Sequence, residues 1–346
     1  MRIAVVGAGI IGASTAWSLA RRGAKVTLIE RKQPMEETSR ASSKLLHGGL
    51  RYLETFQIRL VHKALQARSQ WLRQAPHLCS PLELLLPLYQ GQMRPTWLVG
   101  AGIKLYDLLA SGSGFPKASW LTPKQVLMRQ PALTQRNLLG AYSFYDAQMD
   151  DYALGKWVIE RFQGDGGQLV TGHTITDFDE LEQFDRIVNA AGPWAMDLRS
   201  THGTRPPYSL DWVRGSHIVL ARPCPTALFL QVPHEKRIIF VLPYKGETLV
   251  GTTEIRQDNP SNPGASPEEI SYLLKIFNHY IEPSASITEI TKTYSGIRPL
   301  IRSANNPSNN TREWAFERIG NVLHIYGGKW TTAQIQGEEA AMRILK

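Results

Sequence analysis

The chain opens on a short apolar run, Ile3-Ala4-Val5-Val6, whose β-branched residues predict a buried strand. A glycine cluster follows at once, Gly7-Ala8-Gly9-Ile10-Ile11-Gly12. Ala13 to Arg22 are good helix formers with apolar positions at Ala16, Leu19 and Ala20. Gly23 ends that helix, and Lys25 to Ile29 reads as a second strand closing on Glu30. Helical periodicity recurs over 57–75, 122–130, 152–162, 267–280 and 330–345. Ile58, Leu60, Val61, Leu65 and Leu72 mark the buried face of the first of these, and Thr122 with Pro123 caps the second. The apolar stretch 97–110 reads as a helix carrying two glycines, and 76–87 as a leucine-rich strand or buried connection. Strand-like runs stand at 141–149, 168–172, 186–191 and 322–326. From His217 the pattern changes to short β-rich runs over 217–220, 227–232, 237–242 and 248–251 with turns between, which predicts an antiparallel sheet.

The order strand, glycine turn, helix, strand, acid over Ile3 to Glu30 meets the demands of a dinucleotide-binding turn. Gly7 permits the sharp turn, Gly9 lets a pyrophosphate approach the backbone, and Gly12 lets helix and strand pack closely. Ile10 and Ile11 lie at the helix N-terminus, where free N–H groups face the phosphates. Glu30 can accept from a ribose hydroxyl. The turn alone does not separate FAD from NAD; its place at the head of the chain leans towards FAD. Three more glycine loops stand out: His47-Gly48-Gly49 with Arg51, Ala191-Gly192 before Pro193-Trp194, and Gly327-Gly328-Lys329 before the last helix. The polar segment 33–43, with Ser42 and Ser43, reads as a loop returning to the cofactor. The expected fold is α/β: a Rossmann-like FAD-binding domain over 1–75, 141–200 and 291–346, and a second, antiparallel-sheet substrate domain over 76–140 and 201–290, interleaved in sequence.

Composition changes the picture mainly through charge. The chain has 346 residues, 42% hydrophobic and 20% charged, an ordinary globular balance with room for two domains. The net charge of +9 would suit nucleic acid, an anionic membrane surface or an acidic substrate. The basic residues form no tail and no stripe with interleaved aromatics, so no nucleic-acid partner is expected; small anions or lipid headgroups fit better. Cys79 and Cys224 are far apart, in no metal or redox spacing, and are expected to be free thiols; no metal is expected. No apolar run has the length of a membrane span, and the N-terminus reads as a strand rather than a signal peptide. The expected location is cytoplasmic, with peripheral contact at the inner face of a membrane. Asn309-Asn310-Thr311 matches a glycosylation acceptor and is given no weight.

Seven blocks then carry a resemblance: ASSKLLHGGLRYLE (41–54), APHL (75–78), RGSHIV (214–219), KRIIFVLP (236–243), GTTE (251–254), YSGIRPL (294–300) and YGGKWTT (326–332). In this order they resemble FAD-dependent glycerol-3-phosphate dehydrogenases, which belong to the D-amino-acid-oxidase-like flavoenzymes. The resemblance covers essentially the whole chain. It implies oxidation of sn-glycerol 3-phosphate to dihydroxyacetone phosphate, with hydride transfer to flavin N5 and electrons passed to a quinone or to oxygen. It places Arg51, Tyr52, Arg298 and Lys329 around a small phosphorylated alcohol and makes His47, His217 and Arg298 catalytic, with the proton acceptor either histidine. Gly48, Gly49, Gly328, Lys329, Trp330 and Thr331 are implied to join the cofactor site.

The chain also departs from the family pattern. Arg214 stands for Lys, Glu254 for Asp and Arg40 for Ser, and Tyr152-Ala153-Leu154 follows Asp151 where Ala-Arg-Leu is usual. The segment between Gly172 and Arg186 is short, and the sequence stops at Lys346, so a minimal version without the C-terminal helical domain, or a divergent relative, is expected. Two other readings stay open: a flavoenzyme acting on an amine or 2-hydroxy acid, and a flavin-binding protein without turnover.

Overall fold

The structure is a computed structural model that describes residues 1–262, 264–302 and 314–346; Asn309-Asn310-Thr311 lies outside them. Six described strands form one sheet in the order Trp314–Ile319, Val322–Gly327, Arg186–Asn189, Arg2–Val6, Lys25–Glu30, Gln168–Thr171. Arg2–Val6 is central and runs parallel to both neighbours. Ile3 and Val5 enter a core with the helices Ile10–Ala20, Asp151–Gly164 and Ala333–Leu345, while Ala4 and Val6 enter the core on the other face. Burial on both faces is why this strand is an unbroken apolar run rather than an alternation. The first and last helices of the chain lie against each other at Gly337, where a Cβ would come within 2.6 Å of the Ser14 backbone.

The second sheet contains ten described strands. It runs Ile255–Gln257, Leu210–Leu220, Glu247–Gly251, Ile238–Tyr244, Ala227–Gln231, Cys79–Tyr89, Leu138–Met149, Leu45–Leu46. Ile290–Ile301 pairs with Leu210–Leu220, and Ser119–Leu121 with Leu138–Met149. The helices Pro123–Arg129 and Pro267–Tyr280 cover one face; Ile58–Gln74 and Thr96–Leu109 cover the other. The capping box at Thr122 and Gln125 explains why the first of these helices begins where the sequence predicts.

The hydrogen bonding moves several expected boundaries. All but the first residues of Leu138–Met149 and Ile290–Ile301 fall in the stretches 141–200 and 291–346 assigned to the cofactor domain, yet both strands are paired into the larger sheet. Each is a long strand that crosses the sheet and delivers the chain back to the junction. Helix Ile58–Gln74 likewise serves both cores, with Val61 and Leu65 under the larger sheet and Trp71 in the first core. The larger sheet also has one parallel pair, Ala227–Gln231 beside Cys79–Tyr89, where two antiparallel meanders meet. The first helix starts at Ile10 rather than at Ala13, and the last at Ala333 rather than at Trp330. Gly327 and Gly328 have φ of 70° and 105°, so the chain makes a further turn before that helix can begin. Cys79 and Cys224 are free, and burial pushes both thiols up to about 12.

Candidate active site

Two adjoining clefts open between the sheets. The first, of about 420 Å³, is built on the parallel strands' C-terminal ends and is lined by Gly7, Gly9, Ile10, Ile11 and Glu30. The three glycines act differently. Gly7 has φ of 99°, and a Cβ there would meet the Ala190 carbonyl oxygen at 2.6 Å. A Cβ on Gly12 would lie 1.8 Å from the Gly7 oxygen, so this residue packs inside the turn and does not face the cleft. At Gly9 the closest atom is Ser39 Oγ at 3.1 Å, which leaves bare backbone towards the cleft. The Ile10 N–H donates to Ser39 Oγ at 2.9 Å. Glu30 Oε2 accepts from the Ala8 N–H at 2.7 Å and Oε1 from the Lys32 N–H at 3.1 Å, which fixes the carboxylate and leaves lone pairs for a ligand hydroxyl. Ala191 and Gly192 line the opposite wall, where Arg31 lies 3.7 Å over the Trp194 ring. A glycine-walled cleft lined by a helix N-terminus and a fixed carboxylate fits a dinucleotide.

The second cleft, of about 250 Å³, shares Thr38, Pro299, Gly328, Lys329 and Trp330 with the first. It brings together Ser42, Ser43, His47, Gly49, Arg51 and Tyr52 from one segment with His217, Arg298 and Thr331 from three others. The predicted cations therefore converge. Arg298 donates to Glu254 at 3.4 Å and to Thr252 Oγ1 at 2.9 Å, and Arg51 stands 3.9 Å from the same Glu254 oxygen. The Lys329 ammonium lies 3.9 Å over the Tyr52 ring. Trp330 Nε1 donates to the Ser39 carbonyl at 2.7 Å, which ties this turn to the first cleft.

The two histidines differ. His217 is 2% exposed, stacked 4.7 Å from the Tyr294 ring, with Nε2 at 2.9 Å from Ser43 Oγ. Burial, and then the Arg298 and Lys44 charges, hold its imidazole well below the ordinary histidine range, so it is neutral. His47 is half-buried in the cleft wall, its backbone N–H donating to Thr331 Oγ1 at 3.2 Å. Gly48 does not line the cleft. It is buried against Tyr106 and Leu65, where a Cβ would approach to 2.6 Å, so its part is close packing rather than cofactor contact.

Several residues at the site make contacts that nothing local in the sequence marks. Glu254 sits between the two arginines, and Arg237 lines the same cleft. Lys44 pairs with Asp151 at 2.7 Å, and Ser42 Oγ donates to the same carboxylate at 2.7 Å. Burial works against both charges of that pair and their contact works for them. Lys44 thus supplies a cation to Asp151 from a distant part of the chain.

A family model described as FAD dependent oxidoreductase (DAO) matches residues 2–343. D-erythritol 1-phosphate dehydrogenase from Brucella abortus (strain 2308) is 34% identical over 368 residues, covering 98% of this chain and 72% of that protein. Aerobic glycerol-3-phosphate dehydrogenase from Staphylococcus aureus (strain MRSA252) is 32% identical over 357 residues, covering 95% of this chain and 64% of that protein. The chain therefore spans about two thirds to three quarters of the length of these two relatives. The crystal structure of glycerol-3-phosphate dehydrogenase from Bacillus halodurans complexed with FAD superposes with a TM-score of 0.76 at 23% identity, covering 99% of this chain and 64% of that one. L-alpha-glycerophosphate oxidase from Mycoplasma pneumoniae with FAD bound does so at 0.77 and 19%, covering 99% of this chain and 94% of that one. At these identities the two structures show a shared fold.

Proposed function

The chain belongs to the FAD dependent oxidoreductase (DAO) family, and from that premise we propose that it oxidises a secondary alcohol of a small phosphorylated polyol, of the kind typified by sn-glycerol 3-phosphate and D-erythritol 1-phosphate. The observation that carries this reading is the convergence of Arg51, Arg298 and Lys329 with two histidines in a cleft that adjoins the dinucleotide cleft. FAD would be held by the Gly7 to Gly12 turn, Glu30, Ala191, Gly192 and the Gly328 to Trp330 turn; when bound, it supplies the acceptor for the substrate hydride.

The residues divide the remaining work. The two arginines offer planar forks to a phosphate dianion, and Lys329 adds a third positive charge. Glu254 orients both arginines before substrate arrives. Phe229, Phe240 and Leu300 line the cleft and limit water around the reacting carbon. The alcohol proton must leave with the hydride. His217 is neutral, but burial weakens its hold on a proton, so it serves as a fixed hydrogen-bonding wall with Ser43. We assign proton abstraction to His47, which lies half-buried in the wall of the same cleft.

The acceptor and location follow as part of the same proposal. Phe56, Trp97 and Leu108 are 86%, 72% and 69% exposed, a large apolar display on or next to helix Thr96–Leu109. Together with the net charge of +9 this supports docking on an anionic membrane, where a quinone is at hand; oxygen is the other acceptor to assay. The deciding experiment is anaerobic bleaching of the bound flavin by sn-glycerol 3-phosphate, D-erythritol 1-phosphate, glycerol, glycine and L-lactate. The reading predicts rapid bleaching by one or both phosphates only. Bleaching by glycine or lactate, or by none of the five, overturns it.

A further inference from the structure

Beneath the segment that carries His47 and Arg51, three side chains from three elements meet out of reach of solvent. Arg68 comes from helix Ile58–Gln74, Tyr106 from helix Thr96–Leu109 and Asp146 from strand Leu138–Met149; they are 0%, 2% and 4% exposed. Arg68 Nη1 donates to Asp146 Oδ1 at 2.7 Å and to the Tyr145 carbonyl at 2.9 Å. Tyr106 Oη donates to the two Asp146 oxygens at 2.7 and 2.9 Å. The Gly48 N–H completes the set, donating to Tyr106 Oη at 2.8 Å and to Asp146 Oδ1 at 3.3 Å.

A buried ion pair is a poor way to stabilise a core, because apolar residues of similar volume often do as well or better. What it does that leucines cannot is fix direction. Here the fixed object is a backbone N–H. Gly48 lies so close to the phenol that a Cβ would come within 2.6 Å of it. Next to it, the His47 N–H is held by Thr331 Oγ1. Beyond it, Gly49 turns the chain with φ of 78° into the short helix Leu50–Thr55, which presents Arg51 and Tyr52 to the cleft. The segment is thus pinned at two successive amides, immediately before the residues assigned to proton transfer and phosphate binding diverge.

We propose that Tyr106, Asp146 and Arg68 are positioning residues that set the backbone at Gly48 and thereby aim His47 and Arg51 into the substrate cleft. The roles given to His47 and Arg51 rest on the proposed function; the pinning of the segment does not. Asp146 borders the cleft from below with both oxygens already engaged, so it orients rather than reacts.

The test uses the FAD-loaded full chain with Tyr106→Phe, which keeps the ring and removes the hydroxyl, and Asp146→Asn, which keeps the shape and removes the charge. Amide hydrogen exchange is followed peptide by peptide. Tyr106→Phe is expected to speed exchange over 47–53 by about tenfold, the loss of one net hydrogen bond, while flavin content and exchange in the first sheet stay at wild-type levels. With the phosphorylated polyol that bleaches the wild type, KM should rise by about tenfold and kcat fall less, because a loosened Arg51 loses ground-state binding first. Asp146→Asn should move both readouts the same way and further. If exchange over 47–53 matches the wild type in Tyr106→Phe, or exchange rises evenly across the protein, the three side chains are core packing and the proposal fails. Should Asp146→Asn not fold, Tyr106→Phe alone decides. The exchange measurement needs no substrate, so a wild-type protein that no polyol phosphate bleaches sinks the substrate reading, while exchange over 47–53 still decides whether the network pins the segment.

Discussion

The Lys329 ammonium lies 3.9 Å above the centre of the Tyr52 ring, joining the turn after the last strand of the first sheet to the turn that carries Arg51. The ring face holds the cation without neutralising it, which suits a site that must later receive a dianion. Tyr52→Leu should keep the flavin and weaken binding of the phosphorylated substrate by roughly three- to thirtyfold, the range of a partly desolvated cation–π contact. Titration followed by the flavin spectrum checks it; unchanged affinity would show that Lys329 is placed by other contacts.

Arg298 is expected to carry more. A charge-assisted hydrogen bond contributes about 1.5–3 kcal/mol, so Arg298→Ala should cost roughly ten- to a hundredfold in affinity for the phosphorylated polyol. Its effect on an unphosphorylated polyol should be small, and FAD should remain bound. Equal losses on both substrates would mean that Arg298 acts on the carbon chain or the flavin instead of the phosphate.

The two histidines can be told apart kinetically. His47→Gln removes the assigned proton acceptor and should lower the rate of flavin reduction by about 10²–10⁴-fold. His217→Gln keeps a hydrogen-bonding group opposite Ser43 and should cost on the order of tenfold. Anaerobic stopped-flow reduction of both variants provides the comparison, and the reverse ranking would move the base to His217.

Acid should destabilise the fold in a window set by buried histidines. Burial holds His217 well below the ordinary value and pushes His324 down to about 4. Above pH ~6.5 both are neutral in the folded and unfolded chains and contribute no slope. As pH falls below ~6.5 the unfolded chain takes up protons first, so stability drops, by up to about 1.4 kcal/mol per pH unit for each histidine. Asp146 and Asp151, whose carboxyls burial pushes up, act in the opposite sense at lower pH. Urea midpoints between pH 7.5 and 5 should therefore fall in the wild type and fall less steeply in His217→Gln. A flat wild-type profile would contradict the burial of these imidazoles.

Membrane docking has its own signature. If Trp97, Leu108 and Phe56 insert while basic residues face the headgroups, the protein should co-sediment with phosphatidylglycerol vesicles at low salt and leave neutral ones alone. Each basic residue near the surface contributes about 1 kcal/mol, so high salt should release much of the bound protein. Trp97→Ser with Leu108→Ser should weaken what remains. Wholly soluble behaviour with anionic vesicles at low salt removes this part of the proposal.

The features legible in the residues alone are local. The Ile3 to Glu30 unit was legible because its strand, turn, helix and acid are contiguous, although the atoms that crowd Gly7 and Gly9 belong to Ala190 and Ser39, far along the chain. The same holds for the Thr122 cap and for the turn at Gly327-Gly328. Arg51, Arg298 and Lys329 were found because their motifs are recognisable wherever the chain goes. Tertiary structure decided what depends on partners distant in the chain. Leu138–Met149 and Ile290–Ile301 joined the larger sheet because ladder hydrogen bonds are made by backbone atoms common to all residues and carry no local mark of their partner. Glu254 between the arginines, Lys44 on Asp151, and Asp146 under Gly48 stayed hidden for a related reason. A carboxylate's role is set by which charges and N–H groups burial brings within hydrogen-bonding distance, and that distance exists only once both sheets have packed.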